Sequence, residues 1–231
     1  VDVKAAPADV GASVNLANQT GYGQIRYTLD GRPPVADSPA YVAPIDVALP
    51  ARISAASFEG PRRISPIVEQ ALDPLSIRRR VSQDLTLCPG KLPLILEGGG
   101  TAGGPRPAML IQVMNSCWIW PDAQLSNVGA VRITVGALPF NLQLGSELAH
   151  IVHRPSSTPG MELQVRLDSC DGELLAALPL GPAKPGLASL SAALPPRLGT
   201  HALCFAVAGD KLDPIWAIDE VQLVPAARKG S

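Results

Sequence analysis

Apolar residues recur at every second position in short runs along most of this chain, the pattern of half-buried β-strands. Ala12-Ser13-Val14-Asn15-Leu16 alternates, and in Gln24-Ile25-Arg26-Tyr27-Thr28-Leu29 the residues Ile25, Tyr27 and Leu29 share one face. Ile45, Val47 and Leu49 repeat the pattern, as do Ile53, Ala55 and Ser57 ahead of Phe58-Glu59-Gly60. Gly21, Gly23, Asp30-Gly31 and Pro33-Pro34 supply the turns and stops between these runs. Residues 1–68 are therefore expected to form a small antiparallel β-sandwich.

The period changes between Pro66 and Asp84. Asp73-Pro74 ahead of Leu75 and Ile77 can open one short helix, with Asp73 as its N-cap and Pro74 in the first position. Residues 69–84 are read as a linker that could hold this helix. Strand patterning resumes over 85–226. In Glu162–Asp168, Leu163, Val165 and Leu167 face one way and polar residues the other; Cys170-Asp171-Gly172 then turns the chain into Leu174–Leu178. His201–Val207 and Trp216–Leu223 read as closing strands. So many short strands with regular turns predict a jelly roll. The expected fold class is all-β: a small antiparallel β-sandwich followed by a larger jelly-roll β-sandwich, with no internal repeat.

Composition narrows the function classes. The 231 residues are 46% hydrophobic and 17% charged, an ordinary globular balance. A formal net charge of −1 gives no field to attract nucleic acid or an anionic membrane. The run Arg78-Arg79-Arg80 reads as a solvated linker face. No apolar stretch approaches the ~20 residues of a membrane span, so neither nucleic acid nor a membrane is expected as a partner. Val1-Asp2-Val3-Lys4 shows neither an initiator methionine nor the pattern of a secretory leader, which reads as a cut inside a longer protein or after processing. Cys88, Cys117, Cys170 and Cys204 form no C-x-x-C pair, which argues against zinc or thioredoxin chemistry. Their even number predicts two disulfides in an oxidising compartment, periplasmic or secreted, with three connectivities open.

The motifs of catalysis are missing. There is no G-x-S-x-G elbow, no H-E-x-x-H and no phosphate loop; Gly98-Gly99-Gly100 and Gly103-Gly104 read as a loop. His150 and His153 point to opposite faces if extended, and no third metal ligand is near in sequence. Asp219 and Glu220, adjacent on a predicted strand, should also project oppositely and cannot flank one glycosidic bond. No catalytic residue is expected. Nine residues are aromatic (three each of Trp, Tyr and Phe), and Trp118, Trp120 and Trp216 are the notable ones. Exposed indoles stack on sugar rings while an amide such as Asn115 bonds the hydroxyls. Trp118-Ile119-Trp120 equally suits a strand core, and both readings stay open.

Several of these segments form ordered series. Ile25-Arg26-Tyr27-Thr28-Leu29-Asp30-Gly31-Arg32-Pro33-Pro34, Ser38-Pro39-Ala40-Tyr41, Pro44-Ile45, Ile53–Phe58 and Arg62-Arg63-Ile64-Ser65 resemble the small β-sandwich that follows the barrel in bacterial family 20 β-N-acetylhexosaminidases of chitobiase type. Glu162–Asp168, Gly172–Ala176, Gly199–Leu203 and Ile215–Asp219 resemble a family 6 carbohydrate-binding jelly roll. Asn115–Trp120 resembles a cysteine-bearing variant of it appended to some proteobacterial hexosaminidases.

The resemblance implies a parent enzyme that removes terminal N-acetylhexosamine with help from the substrate's own acetamido group. Its partners would be a catalytic barrel N-terminal to this region, which carries the catalytic acid pair, and a glycan containing N-acetylhexosamine. Asn115, Trp118, Trp120 and Trp216 would be the sugar-contact set. A structural calcium would fall to Glu97 and Asp219, with Ile95 where a second acid is expected. The loop Ala183-Lys184-Pro185-Gly186-Leu187 offers no aromatic where such modules place one. The rival reading is a structural module that braces the barrel or a dimer without binding sugar; indole exposure separates the two.

Overall fold

In the computed structural model, which describes residues 1–8, 11–97, 108–181 and 186–226, the chain divides into two compact units, Val1–Arg78 and Arg79–Ser231. The glycine-rich stretch 98–104 and residues 183–185 lie outside the described residues.

The first unit holds β1 (Asp2–Pro7), β2 (Ala12–Ala17), β3 (Gln24–Thr28), β4 (Ile45–Val47), β5 (Ala51–Glu59), β6 (Arg62–Arg63) and β7 (Val68–Leu72). One antiparallel sheet has the order β1-β2-β4; in the other, β5 pairs with β3, β6 and β7. Val14, Leu16, Ile25, Val47, Ile53, Ala55, Leu72 and Ile77 form its core, which is what the period-2 runs supply. In β5 burial is continuous from Ile53 to Phe58 rather than alternating, because the intervening positions carry the small residues Ser54 and Ala56.

The expected linker is more ordered than its sequence suggests. Val68–Leu72 is a strand of the first unit, and the helix expected after Asp73 is one 3₁₀ turn, Ser76–Arg78. Asp73 does cap it: its Oδ1 accepts the Leu75 and Ser76 N–H groups at 2.7 and 2.9 Å. The arginine run is a solvated face only in part: Arg79 is exposed and Arg78 and Arg80 are half-buried. Arg79 and Arg80 open β8 (Arg79–Val81), where Arg79 pairs with Glu220 and the Arg80 guanidinium lies 4.7 Å from the centre of the Trp120 ring.

The second unit continues with β9 (Thr86–Leu87), β10 (Pro93–Glu97), β11 (Ala108–Gln112), β12 (Cys117–Gln124), β13 (Val128–Leu138), β14 (Glu162–Leu167), β15 (Leu174–Pro179), β16 (Leu187–Ala193), β17 (Thr200–Ala208) and β18 (Ile215–Pro225). A five-stranded sheet β15-β14-β17-β12-β9 faces a four-stranded sheet β16-β13-β18-β8, and β10-β11 form a separate ribbon. All the pairings are antiparallel. The crossings between non-consecutive strands make it a jelly-roll sandwich, and the inward positions of both sheets share one core.

Two departures from simple alternation shape this unit. On β12 the register against β17 slips between Trp120 and Ala123, where Pro121 has no N–H to give the ladder. On β18, Thr134 faces Glu220 while Val135 faces Ile218, so Asp219 is a bulge residue. Inward positions are Leu223 and Val221 on one side of it and Ile218 and Trp216 on the other. Asp219 and Glu220 therefore do not project to opposite faces as strict alternation requires; both are half-exposed.

Disulfides Cys88–Cys117 and Cys170–Cys204 select one of the three connectivities. In the first unit, Gly11 turns the chain into β2 at φ +83°, and a Cβ there would lie 2.0 Å from the Val47 carbonyl oxygen. Gly11→Ala is expected to cost roughly 1–3 kcal/mol in chemical denaturation, through both the left-handed backbone and the collision with β4. An unchanged unfolding midpoint would show that the turn relaxes freely.

Candidate functional site

Strand β12 is interior to its sheet, between β17 and β9, so every second side chain points under the opposing sheet. Trp118 and Trp120 take those positions. They are 0% and 2% exposed, and Trp216 on β18 is 7% exposed. Trp118 donates its indole N–H to the Leu110 carbonyl at 2.6 Å, and Trp120 is covered by Arg80. An indole enclosed in this way has no ring face left for a sugar. Trp118 and Trp120 are therefore core residues, as the packing reading of Trp118-Ile119-Trp120 held, and not the stacking platform expected of them; Trp216 is largely buried but reaches a surface depression. Asn115 is also committed, donating to the Pro89 carbonyl at 3.0 Å and accepting from Arg154 Nη2 at 2.7 Å.

Calcium takes six to eight oxygen ligands. Among the described residues, the group of three or more His, Cys, Asp or Glu close enough to share an ion is the four cysteines, and neither Glu97 nor Asp219 belongs to such a group. Burial, then the charge of Glu220, raise the Asp219 carboxyl, and Arg79 partly opposes them.

The outer face of the five-stranded sheet is where polar chemistry gathers. Glu162, Gln164 and Arg166 are the polar side of β14 that alternation predicts, a side that in a simple sandwich faces solvent. Glu162 and Gln164 are instead 0% and 1% exposed, because the segment 151–161 folds across them. Glu162 accepts hydrogen bonds from the Ser157 N–H at 2.7 Å and hydroxyl at 2.9 Å, from the Thr158 N–H at 3.0 Å and hydroxyl, and from Gln164 Nε2 at 2.7 Å. Gln164 also holds the Pro155 carbonyl at 3.0 Å, and Arg166 donates to Gln164 Oε1 at 2.8 Å and to the Gly172 carbonyl at 2.7 Å. Burial drives the Glu162 carboxyl upward, but the bonds from Ser157, Thr158 and Gln164 outweigh it and bring it down to about 2.

With the segment fixed, its outer side lines two adjoining depressions. One has an apolar floor including Phe140, Met161 and Trp216, with Ser116, His153 and Lys211 as polar groups. The next is lined by His153, Arg154, Ser156, Gly160, Gly209 and Asp210. The walls are tied together: Gly209 N–H donates to the Arg154 carbonyl at 2.8 Å, Val152 N–H to Met114 at 2.9 Å, and Phe140 N–H to Asp213 Oδ1 at 2.9 Å. Apolar floor, imidazole, ammonium, hydroxyls and a carboxylate suit a neutral polyhydroxylated ligand, which offers donors, acceptors and C–H faces together. Sequence patterning missed most of this site: its polar residues lie on loops without periodicity, and His153 and Trp216 are the members the sequence had singled out.

Residues 7–69 match the family model of the chitobiase/beta-hexosaminidase C-terminal domain. No curated protein matches the chain. Among solved structures, the chain is similar to a family 6 carbohydrate-binding module from Clostridium cellulolyticum in complex with xylose, at 16% identity, covering 63% of this chain and 95% of that one, with a TM-score of 0.43. It is also similar to a family 6 module from Clostridium stercorarium in complex with cellobiose, at 14% identity over 64% and 93% of the two chains, TM-score 0.44. A carbohydrate-binding module of family 36 in complex with calcium and xylotriose is similar at 8% identity over 63% and 98%, TM-score 0.39.

Two stability measurements test the site's construction. Trp118→Ala should cost ~3–5 kcal/mol in denaturant unfolding, as loss of a core aromatic does; a surface-like cost under ~0.5 kcal/mol would place the indole in solvent. Glu162 has a depressed folded pKa, so its stabilisation is present above the usual glutamate range and is lost as pH falls from 4.5 toward about 2. Glu162→Gln should remove up to about 3 kcal/mol near neutrality and flatten the acid limb of the stability profile. A parallel profile in the variant would show that another group carries the acid sensitivity.

Proposed function

We propose that this chain is a non-catalytic accessory region of an exo-acting β-N-acetylhexosaminidase, working beside a catalytic barrel N-terminal to it in a periplasmic or secreted parent protein. The single observation that carries this reading is the match of residues 7–69 to the chitobiase/beta-hexosaminidase C-terminal domain. The lack of a nucleophile–base pair or catalytic motif in the sequence is consistent with it, and two disulfides suit an oxidising compartment. In this reading the second unit holds an N-acetylhexosamine-containing glycan at the rim of His153, Lys211, Ser116 and Phe140, over the floor to which Trp216 contributes, and Trp118 and Trp120, sealed in the core, take no part. Lys211 and His153 meet hydroxyl or acetamido oxygens, and Phe140 lies under an apolar sugar face.

The second reading is the brace, favoured by the burial of all three indoles and the commitment of Asn115. There the second unit supports the barrel or a dimer, and the rim has no glycan function.

Calorimetric titration with N-acetylglucosamine oligomers and complex-type N-glycans separates the two. Saturable binding that weakens about tenfold in His153→Ala or Lys211→Ala is expected for loss of one good polar contact. A folded protein that binds none of these glycans would sink the glycan reading and leave the brace.

A further inference from the structure

All four cysteines of the chain meet at one point, although they are far apart in sequence. Cys88 follows β9, Cys117 opens β12, Cys170 lies in the turn after β14 and Cys204 is within β17. Cys117 and Cys204 point outward from the five-stranded sheet, opposite to the core-facing Trp118 and Phe205. The two disulfides touch: Cys88 Sγ and Cys170 Sγ, which belong to different bridges, are 3.4 Å apart. All four sulfurs lie within 4.8 Å of one another, and three of the four residues are buried. Tetrahedral zinc with metal–sulfur bonds of about 2.3 Å holds its sulfurs roughly 3.8 Å apart. Separating each bonded pair by reduction would thus bring the sulfurs close to that spacing with small side-chain movements.

A cation stands beside the cluster. Arg154 Nη2 is 3.5 Å from Cys117 Sγ, while its Nε and Nη1 are buried with no hydrogen-bond partner. A half-buried guanidinium with two unpaired donor atoms is costly beside neutral disulfides. Arg166, which faces Cys204 in the strand register, adds a second positive charge nearby. A four-thiolate zinc centre carries two negative charges, and such centres are stabilised by N–H donors and cations around the sulfurs. The Asp171 carboxylate, next to Cys170, offsets part of this positive charge; the two guanidiniums against it still suit an anionic centre better than two neutral disulfides.

We propose that Cys88, Cys117, Cys170 and Cys204 form a redox-gated metal site: two disulfides when oxidised, and a tetrathiolate site for zinc or a similar thiophilic divalent cation when reduced. The reductant is a dithiol or a phosphine. Each disulfide takes up two electrons and two protons and gives two thiols, four in all, while for each bridge one dithiol reductant becomes a disulfide or one phosphine becomes its oxide with oxygen from water. Zinc ion then binds the four sulfurs and four protons leave. Arg154 is a positioning residue that balances the charge.

The full chain, oxidised or reduced anaerobically with a trialkylphosphine and desalted, is exposed to Zn²⁺ or Co²⁺ and assayed for retained metal. The reduced chain should retain one zinc, and its cobalt form should show the intense visible and sulfur-to-metal charge-transfer bands of a tetrahedral thiolate site. The oxidised chain should retain none. Cys170→Ser, which alters the half-buried member, should lose the four-sulfur spectrum. Arg154→Gln should keep that spectrum and weaken zinc binding by roughly tenfold. Should reduction unfold the protein, recovery of far-ultraviolet circular dichroism on adding zinc supports the site. A reduced chain that stays unfolded with zinc, retains no metal, or binds cobalt without thiolate bands overturns it. So does a spectrum unchanged in Cys170→Ser.

Discussion

The pairing of β12 with β17 is the interaction on which the second unit depends. Its register sets Trp118 opposite Phe205 and Trp120 opposite Leu203, and all four fill the core between the sheets. The same register sets Cys117 opposite Ala206 and Ile119 opposite Cys204, and these form a small apolar cluster on the outer face. Because side chains alternate strictly from Cys117 to Trp120, a one-residue slip would exchange the faces, moving the indoles out of the core between the sheets and the cysteines into it. The core stabilises the register, and the disulfides staple the outer side of the same strands to their neighbours.

Covering that outer face requires polar groups, and a buried carboxylate solves part of the problem. Glu162 gives an acceptor to each donor that residues 157–158 and Gln164 turn toward it. A buried charge with so many hydrogen bonds is tolerable; the same carboxylate stripped of them would unfold the segment. Residues 151–161 are therefore held, and their far side becomes the wall of the His153–Lys211 rim. Construction of the fold and construction of the candidate ligand site are here the same set of bonds.

Moving the candidate contacts from buried indoles to a polar rim changes what recognition would depend on. A stack of exposed indoles binds through apolar sugar faces, and its affinity follows aromatic area. A rim of imidazole, ammonium and hydroxyl groups over an apolar floor would depend on hydrogen-bond matching, and so would discriminate between sugars that differ in one hydroxyl or acetamido group.

Much of the strand content was legible in the period-2 runs, since local alternation and turn residues decide which segments are extended. The series from Ile25 to Ser65 resembles, from residue order alone, the family whose model residues 7–69 match. Other properties belong to contacts between segments remote in sequence. Whether Trp118 and Trp120 meet solvent depends on the opposing sheet, and whether Glu162 is buried depends on where residues 151–161 lie. The bulge at Asp219 arises from register with β13. The absence of C-x-x-C pairs argued against a metal site, yet neighbouring strands and a turn bring four single cysteines together. Sequence determined the strands and their polarity because these follow from each residue and its near neighbours; tertiary structure alone decided which faces are covered and which side chains converge, because burial and ligand geometry are set by whichever distant segment packs on top.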